Sequence, residues 1–198
     1  MLVTDLINVR YLSGFTGSAG ALLVYADERA PVLATDGRYR TQAARQAPDL
    51  QVAIERTGAR HLITQAAAAG ARRVGFEAHV VTVDGFDALS AAMQAEGALA
   101  DPDSPVELVR ASNTVETLRE VKDAGEVDLL RRACEAADAA LSGLLERGGL
   151  RPGRTEREVR RELEALMVDH GADAASFETI VAAGPNSAIP HHRPTDAV

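Results

Sequence analysis

The sequence predicts an α/β domain followed by a smaller, helix-rich α+β part, and three observations carry that prediction. Short β-type runs alternate with helical patterns as far as Arg110. Beyond it the alternation gives way to two amphipathic stripes at helical spacing. The 198 residues, 46% hydrophobic and 25% charged with both signs interspersed, have the composition of a globular chain. That is enough for one large domain or two small ones.

In chain order, ALLVY (Ala21 to Tyr25) and PVLAT (Pro31 to Thr35) read as strands joined by a hairpin connection, Ala26 to Ala30. Asp36 can cap a following helix that carries Tyr39, Ala43 and Ala44. QVAIE (Gln51 to Glu55) and RRVGFE (Arg72 to Glu77) are further strands, separated by a helical, alanine-rich stretch from Arg60 to Ala69. A helix is expected from Asp84 to Glu96, then the turn DPDSP (Asp101 to Pro105), and VELVR (Val106 to Arg110) as a last strand. Strands alternating with helices in this way form α/β layers. The carboxylates of DPDSP read as a solvated turn rather than an acid/base pair.

From Val127 the apolar residues Val127, Leu130, Cys134, Ala137, Leu141 and Leu144 step by three and four, the spacing of one helix face. Gly148-Gly149 stops that helix and Pro152-Gly153 makes a turn. Thr155 with Glu158 forms a capping box that opens a second helix through Val159, Leu163, Leu166 and His170, ended by Gly171. His170 falls on the packing face, where a structural residue is expected sooner than a ligand. Phe177, Thr179 and Val181 alternate with Glu178 and Ile180 as in a strand, and the loop GPNSAIPHHRP (Gly184 to Pro194) hangs from its end. A domain boundary is expected in the polar segment Ala111 to Thr117.

Charge and composition exclude several function classes. The balance of 21 basic and 29 acidic residues gives a net charge of -8, with no basic cluster long enough to track phosphates, so nucleic acid is not an expected partner. No window approaches a membrane span, and the N-terminus lacks a charged region followed by an apolar run; no membrane partner and a cytoplasmic location are expected. Cys134, the only cysteine, rules out an intramolecular disulfide and a cysteine-based zinc framework, and it reads as buried core on the helix face.

Two motifs invite a chemical reading. SGFTGSAG spaces Gly14, Gly17 and Gly20 three apart, but it lacks the dinucleotide fingerprint and the GK[ST] ending of a P-loop, so it reads as a tight structural loop. His191 and His192 are adjacent in the proline-bounded loop. Neighbouring histidines seldom bind one ion without partners. On chemistry alone they read either as surface residues or as a single histidine held by Pro190 and Pro194 to donate or pass a proton.

Five stretches resemble the creatinase/Xaa-Pro peptidase family, which includes aminopeptidase P and prolidase. They are LVTDLINVRYLSGFTGSAGALLV (Leu2 to Val24), TDGRY (Thr35 to Tyr39), REVKDAGEVDLLRRACEAADAAL (Arg119 to Leu141), GRTEREV (Gly153 to Val159) and SFETIVAAGPNSAIPHHRP (Ser176 to Pro194). Their order and separation also fit, so the resemblance covers essentially the whole chain.

The resemblance implies a creatinase-type N-terminal α/β domain from Met1 to Ser112, followed over residues 113–198 by the opening portion of a pita-bread α+β catalytic domain. It implies a metal-dependent hydrolase that cleaves the bond preceding proline in short peptides, using two manganese, cobalt or zinc ions. His191 takes the place of the family histidine that contacts substrate and assists proton transfer; His192 is given no role. The family's metal ligands, two aspartates, one histidine and two glutamates, match no residue of this chain, and neither Glu178 nor Asp196 fits their motifs. No cofactor is therefore expected in this chain, and by itself it is expected to be inactive.

The chain looks shortened at both ends relative to the family. Its second part is expected to be loosely packed, swapped between chains or completed by a partner, because leaving a leucine-sized side chain exposed forgoes roughly 1.5 to 3 kcal/mol. A homo-oligomer through the N-terminal domain is the expected assembly. The alternatives are a creatinase-like, metal-independent amidinohydrolase using the same histidine as acid/base, and a noncatalytic binding or dimerisation module.

Overall fold

The computed structural model describes residues 1–100 and 106–198, so the expected turn DPDSP lies outside the described residues. The chain divides into two compact units, Met1–Val121 and Lys122–Val198.

The first unit is built on a six-stranded mixed sheet in the order β4-β3-β2-β1-β5-β6. Its strands are β1 (Leu2–Val3), β2 (Ala21–Leu23), β3 (Val32–Thr35), β4 (Gln51–Ile54), β5 (Arg73–Phe76) and β6 (Glu107–Arg110). The β2–β3 hairpin is antiparallel with Leu22 opposite Leu33, β1 pairs antiparallel with β2, and the outer pairs β3–β4, β1–β5 and β5–β6 are parallel. Every residue of β1, β2 and β3 is buried, as in a sheet covered on both faces.

Side-chain alternation divides those residues between two cores. Leu2, Ala21, Leu23, Val32 and Ala34 face α3 (Gly58–Ala68) and α4 (Val83–Ala100), through Leu62, Ile63, Ala66 and Met93. Val3, Leu22 and Leu33 face the other way, toward Val9 of α1 (Leu6–Ser13), Ala43 of α2 (Arg40–Gln46), Phe15 and Val115.

Asp36 caps a short 3-10 turn, Gly37–Tyr39, that leads into α2, as its position suggested. The SGFTGSAG loop is a structural lid on this second core. Gly14 ends α1 in the left-handed conformation, and a Cβ on Gly17 would stand 2.2 Å from the Phe15 ring. Phe15 itself meets Tyr39 edge-on, with ring centroids 5.7 Å apart.

The polar segment after Arg110 contains a helix, α5 (Thr114–Glu120), that belongs to the first unit. Val115 enters the second core, and Arg119 donates to the Asn8 side chain at 2.8 Å.

The second unit is a helix pair with a long loop. α6 (Ala124–Glu146) and α7 (Glu156–Asp169) each open on a complete capping box, Asp123 with Glu126 and Thr155 with Glu158. Gly148 (φ +63°), Gly153 (φ +86°) and Gly171 (φ +99°) provide the left-handed turns that the sequence placed there.

Three expectations are corrected here. Ala140 and Leu144 of α6 pack against Val159 and Leu166 of α7, and Ala136 is also buried; Leu130 and Leu141 are about half exposed. Cys134, expected in the core, lies on the exposed side of the helix. The stripe is thus split: Leu144 packs beside Ala140, while Leu130, Cys134 and Leu141 lie to the side of the contact. Phe177 to Val181 form no strand, because a strand needs a hydrogen-bonded neighbour and every described strand lies in the first unit. Phe177 is 77% exposed.

Candidate functional site

The loop that carries His191 is organised by one buried carboxylate. Glu156 is the first residue of α7, and its side chain is fully enclosed. Its Oε1 accepts from the Ala183 N–H at 2.7 Å and from Asn186 Nδ2 at 2.9 Å. Its Oε2 accepts from the Thr195 N–H and hydroxyl, both at 2.8 Å, and pairs with His192 Nε2 at 2.7 Å.

Burial alone would raise the Glu156 pKa. The hydrogen bonds from His192, Asn186, Thr195 and Ala183 outweigh it and hold the carboxyl well below the usual carboxylate range.

The α7 N-terminus adds two further ties. The N–H groups of Glu156 and Arg157, which have no partners within the helix, donate to the carbonyls of Ala197 and Thr195 at 3.0 and 3.1 Å. The loop is thus fastened on both sides of a short 3-10 turn, Gly184–Ala188, that Pro185 opens.

His191 and His192 part company in this frame. His192 points inward and is 8% exposed, whereas His191 is exposed. His191 borders a shallow depression shared with Arg160, Thr179, Ile180, Arg193 and Pro194. Of the carboxylates nearby in sequence, Glu178 pairs with Arg193 at 3.3 Å and Asp196 pairs with Arg157. No group of three metal-ligating side chains lies around His191 among the described residues. The loop can present an imidazole to a ligand, but its residues do not fit a metal pair.

Glu156 escaped the sequence reading, although a signal was present. The capping box drew attention to Thr155 and Glu158, and the acid between them had no apparent task. An acidic residue at the first helical position, followed further on by a loop rich in Asn, Thr and His, is the pattern that would have found it.

Residues 1–121 match the Creatinase/Prolidase N-terminal domain, which is more than half of the chain. The chain belongs to the creatinase/prolidase family. Residues 128–198 match Metallopeptidase family M24. The uncharacterized peptidase YqhT of Bacillus subtilis is 37% identical over 195 residues, which cover 96% of this creatinase/prolidase-family chain and 50% of that protein.

Among solved structures, the N-terminal domain of the cytoplasmic peptidase PepQ from Mycobacterium tuberculosis is 64% identical over 60% of this chain and 85% of its own, with a TM-score of 0.54. The Xaa-Pro dipeptidase from Bacillus anthracis is 32% identical, covers 99% of this chain and 51% of its own, and has a TM-score of 0.83. The chain spans half the length of YqhT or less of the other curated relatives it matches. Among the described residues, no helix is long and apolar enough to cross a membrane.

Proposed function

We propose that this chain takes the part of the first half of an Xaa-Pro peptidase, a metal-dependent hydrolase that cleaves the bond preceding proline in short peptides. The observation that carries this reading is the Glu156-fastened loop, which presents His191 to solvent in a chain nearly all of which aligns with half of the uncharacterized peptidase YqhT. In this reading His191 contacts the substrate. Its imidazole can donate a hydrogen bond to a substrate oxygen or carry a proton near neutral pH. His192 is committed to Glu156 and supports the loop from below.

The metal ions of such a hydrolase activate water and polarise the scissile carbonyl when bound. No residue of this chain is assigned to hold them, so residues 1–198 alone are proposed to be inactive. Short proline-containing peptides are the proposed substrates and the cytoplasm the proposed location, in line with the cytoplasmic peptidase PepQ. Homo-oligomerisation through the first unit is part of the same proposal.

The test is a chimera in which residues 1–198 replace the matching half of YqhT. It is assayed on Xaa-Pro peptides with manganese, beside the 198-residue chain alone. Chelator-sensitive cleavage by the chimera, cut roughly 100-fold or more in kcat by His191→Ala, is the expected result. A folded, metal-loaded chimera that cleaves no Xaa-Pro bond overturns the reading. Turnover of creatine in its place would favour the amidinohydrolase alternative, and chelator-sensitive cleavage by the chain alone overturns the proposed inactivity.

A further inference from the structure

A second cluster of chemically capable side chains lies in the first unit. Asp5 is the N-cap of α1; its Oδ1 accepts from the Ile7 N–H at 2.7 Å, which leaves Oδ2 available. His79 stands in the turn that follows β5, where the N–H groups of Val80 and Val81 both fold back on the Glu77 carbonyl at 3.1 Å. Glu116 belongs to the first turn of α5.

Three segments far apart in sequence therefore bring one imidazole and two carboxylates together. His79 Nε2 is 3.1 Å from Glu116 Oε1 and 3.9 Å from Asp5 Oδ2. One ligand atom from each residue lies within 4.8 Å of the others. Ligands on a tetrahedral zinc ion, with metal–ligand distances of about 2.0 to 2.2 Å, stand about 3.3 to 3.5 Å from one another.

A separate observation concerns the same carboxylate. Glu116 Oε2 is buried and accepts from no other residue among the described ones, while its Oε1 accepts from Asn8 Nδ2 at 2.5 Å. A carboxylate oxygen in that position is costly unless a cation or a donor answers it. Behind the cluster lies a third carboxylate, the buried Glu77. Its Oε2 takes the Thr4 and Asp5 N–H groups and its Oε1 takes Asn8 Nδ2.

Against these three carboxylates stand Arg119, bonded to Asn8 Oδ1, and the His79 imidazole. Asn8, wholly buried, fixes Glu116 from behind, as partners of metal ligands do. The three ligand residues are themselves only partly buried, so an ion has a route in and a water can complete its coordination.

We infer that Asp5, His79 and Glu116 bind a divalent transition-metal ion of the zinc class. One nitrogen and two oxygen donors suit zinc, cobalt or manganese better than calcium or magnesium, whose sites are built from oxygen alone. The ion bridges the start of α1, the end of β5 and the start of α5, and so pins the last helix of the first unit to its first. This site is built wholly from residues of the first unit, and the inference does not rest on the peptidase reading.

The experiment uses the whole 198-residue chain, with Zn2+ as the titrant in calorimetry and Co2+ as the spectroscopic probe. One ion per chain is expected. His79→Gln should weaken Zn2+ binding roughly tenfold or more, whereas His191→Gln should leave it unchanged. Added Zn2+ should raise the Tm of the wild-type chain and not that of His79→Gln.

Absence of stoichiometric Zn2+ uptake overturns the inference and leaves His79 as an exposed ion-pair partner only. Equal affinity in His79→Gln also overturns it, as does loss of binding in His191→Gln. Should His79→Gln fail to fold, Mn2+ relaxation broadening in the wild-type NMR spectrum decides. The first amides to broaden should be those around Asp5, His79 and Glu116, and broadening that begins at His191 and His192 would overturn the site.

Discussion

Gly148 and Gly149 end α6 for different physical reasons, so replacing each by alanine should cost different amounts. Gly148 is in the left-handed region, φ +63°, with open space where a Cβ would go. Alanine there meets only the backbone penalty of about 1 to 2 kcal/mol, less the roughly 0.4 to 1 kcal/mol gained by restricting the unfolded chain. The net cost is about 1 kcal/mol.

Gly149 is crowded. A Cβ on it would stand 2.4 Å from Leu144 Cδ1 and 2.7 Å from the Leu144 carbonyl oxygen, which accepts the Gly149 N–H at 2.8 Å. Leu144, 1% exposed, is held by Ala140, Val159 and Leu166, so it has nowhere to go. Overpacking of this kind costs about 1 to 3 kcal/mol and loss of the hydrogen bond about 1 kcal/mol more, which after the same unfolded-chain gain leaves about 2 kcal/mol or more.

For a unit of this size each kcal/mol moves Tm by about 4 to 8 °C. Thermal unfolding followed by far-UV circular dichroism should therefore show Gly148→Ala about 5 °C below wild type and Gly149→Ala at least about 8 °C below it. Equal shifts in the two variants, or a neutral Gly149→Ala, would refute the claim that the helix end is sealed by Leu144.

Glu156 makes the second unit acid-sensitive. Its folded pKa lies below its ordinary value of 4.5, so the stability it contributes is fully present above pH 4.5 and drains away as pH falls toward the folded pKa. Glu156→Gln should flatten that part of the pH–stability profile, and a profile as steep as wild type would contradict the assignment. In the first unit, Phe15→Ala should destabilise by about 3 to 5 kcal/mol in denaturant titrations, since the ring is 1% exposed between Val9, Gly17, Gly20 and Tyr39. Cys134 should react with a thiol reagent in the native chain nearly as fast as in denaturant; strong protection would restore it to the core.

Elements whose local signals were long or repeated were legible in the sequence. The β2–β3 hairpin showed as two apolar runs around a polar connection, and α7 showed through its capping box and its stripe. The opening helix α1 was not foreseen, because eight residues with a weak stripe carry little periodic signal, even though Asp5 and Gly14 mark both of its ends. α5 was hidden in a polar segment because only Val115 of its residues is buried.

The packing face of α6 was misjudged for a related reason. Periodicity finds leucines readily, but of that stripe only Leu144 joins Ala140 in the contact with α7, and spacing alone does not say which members of a stripe meet the partner. Chemistry alone did not separate His191 from a surface residue, and the mechanics of its loop were not legible at all. His191 was singled out by resemblance to the family loop, while Glu156, which lies 36 residues from His192, gives no local sign of the partnership.

All of the loop's ties to Glu156 run backward along the chain, to a residue made earlier than Ala183, Asn186, His192 and Thr195. On the ribosome, α7 can therefore be complete before the residues that will lean on it have been translated. Each newly emerged donor meets an acceptor already in place, and the loop can be secured in the order in which it is synthesised.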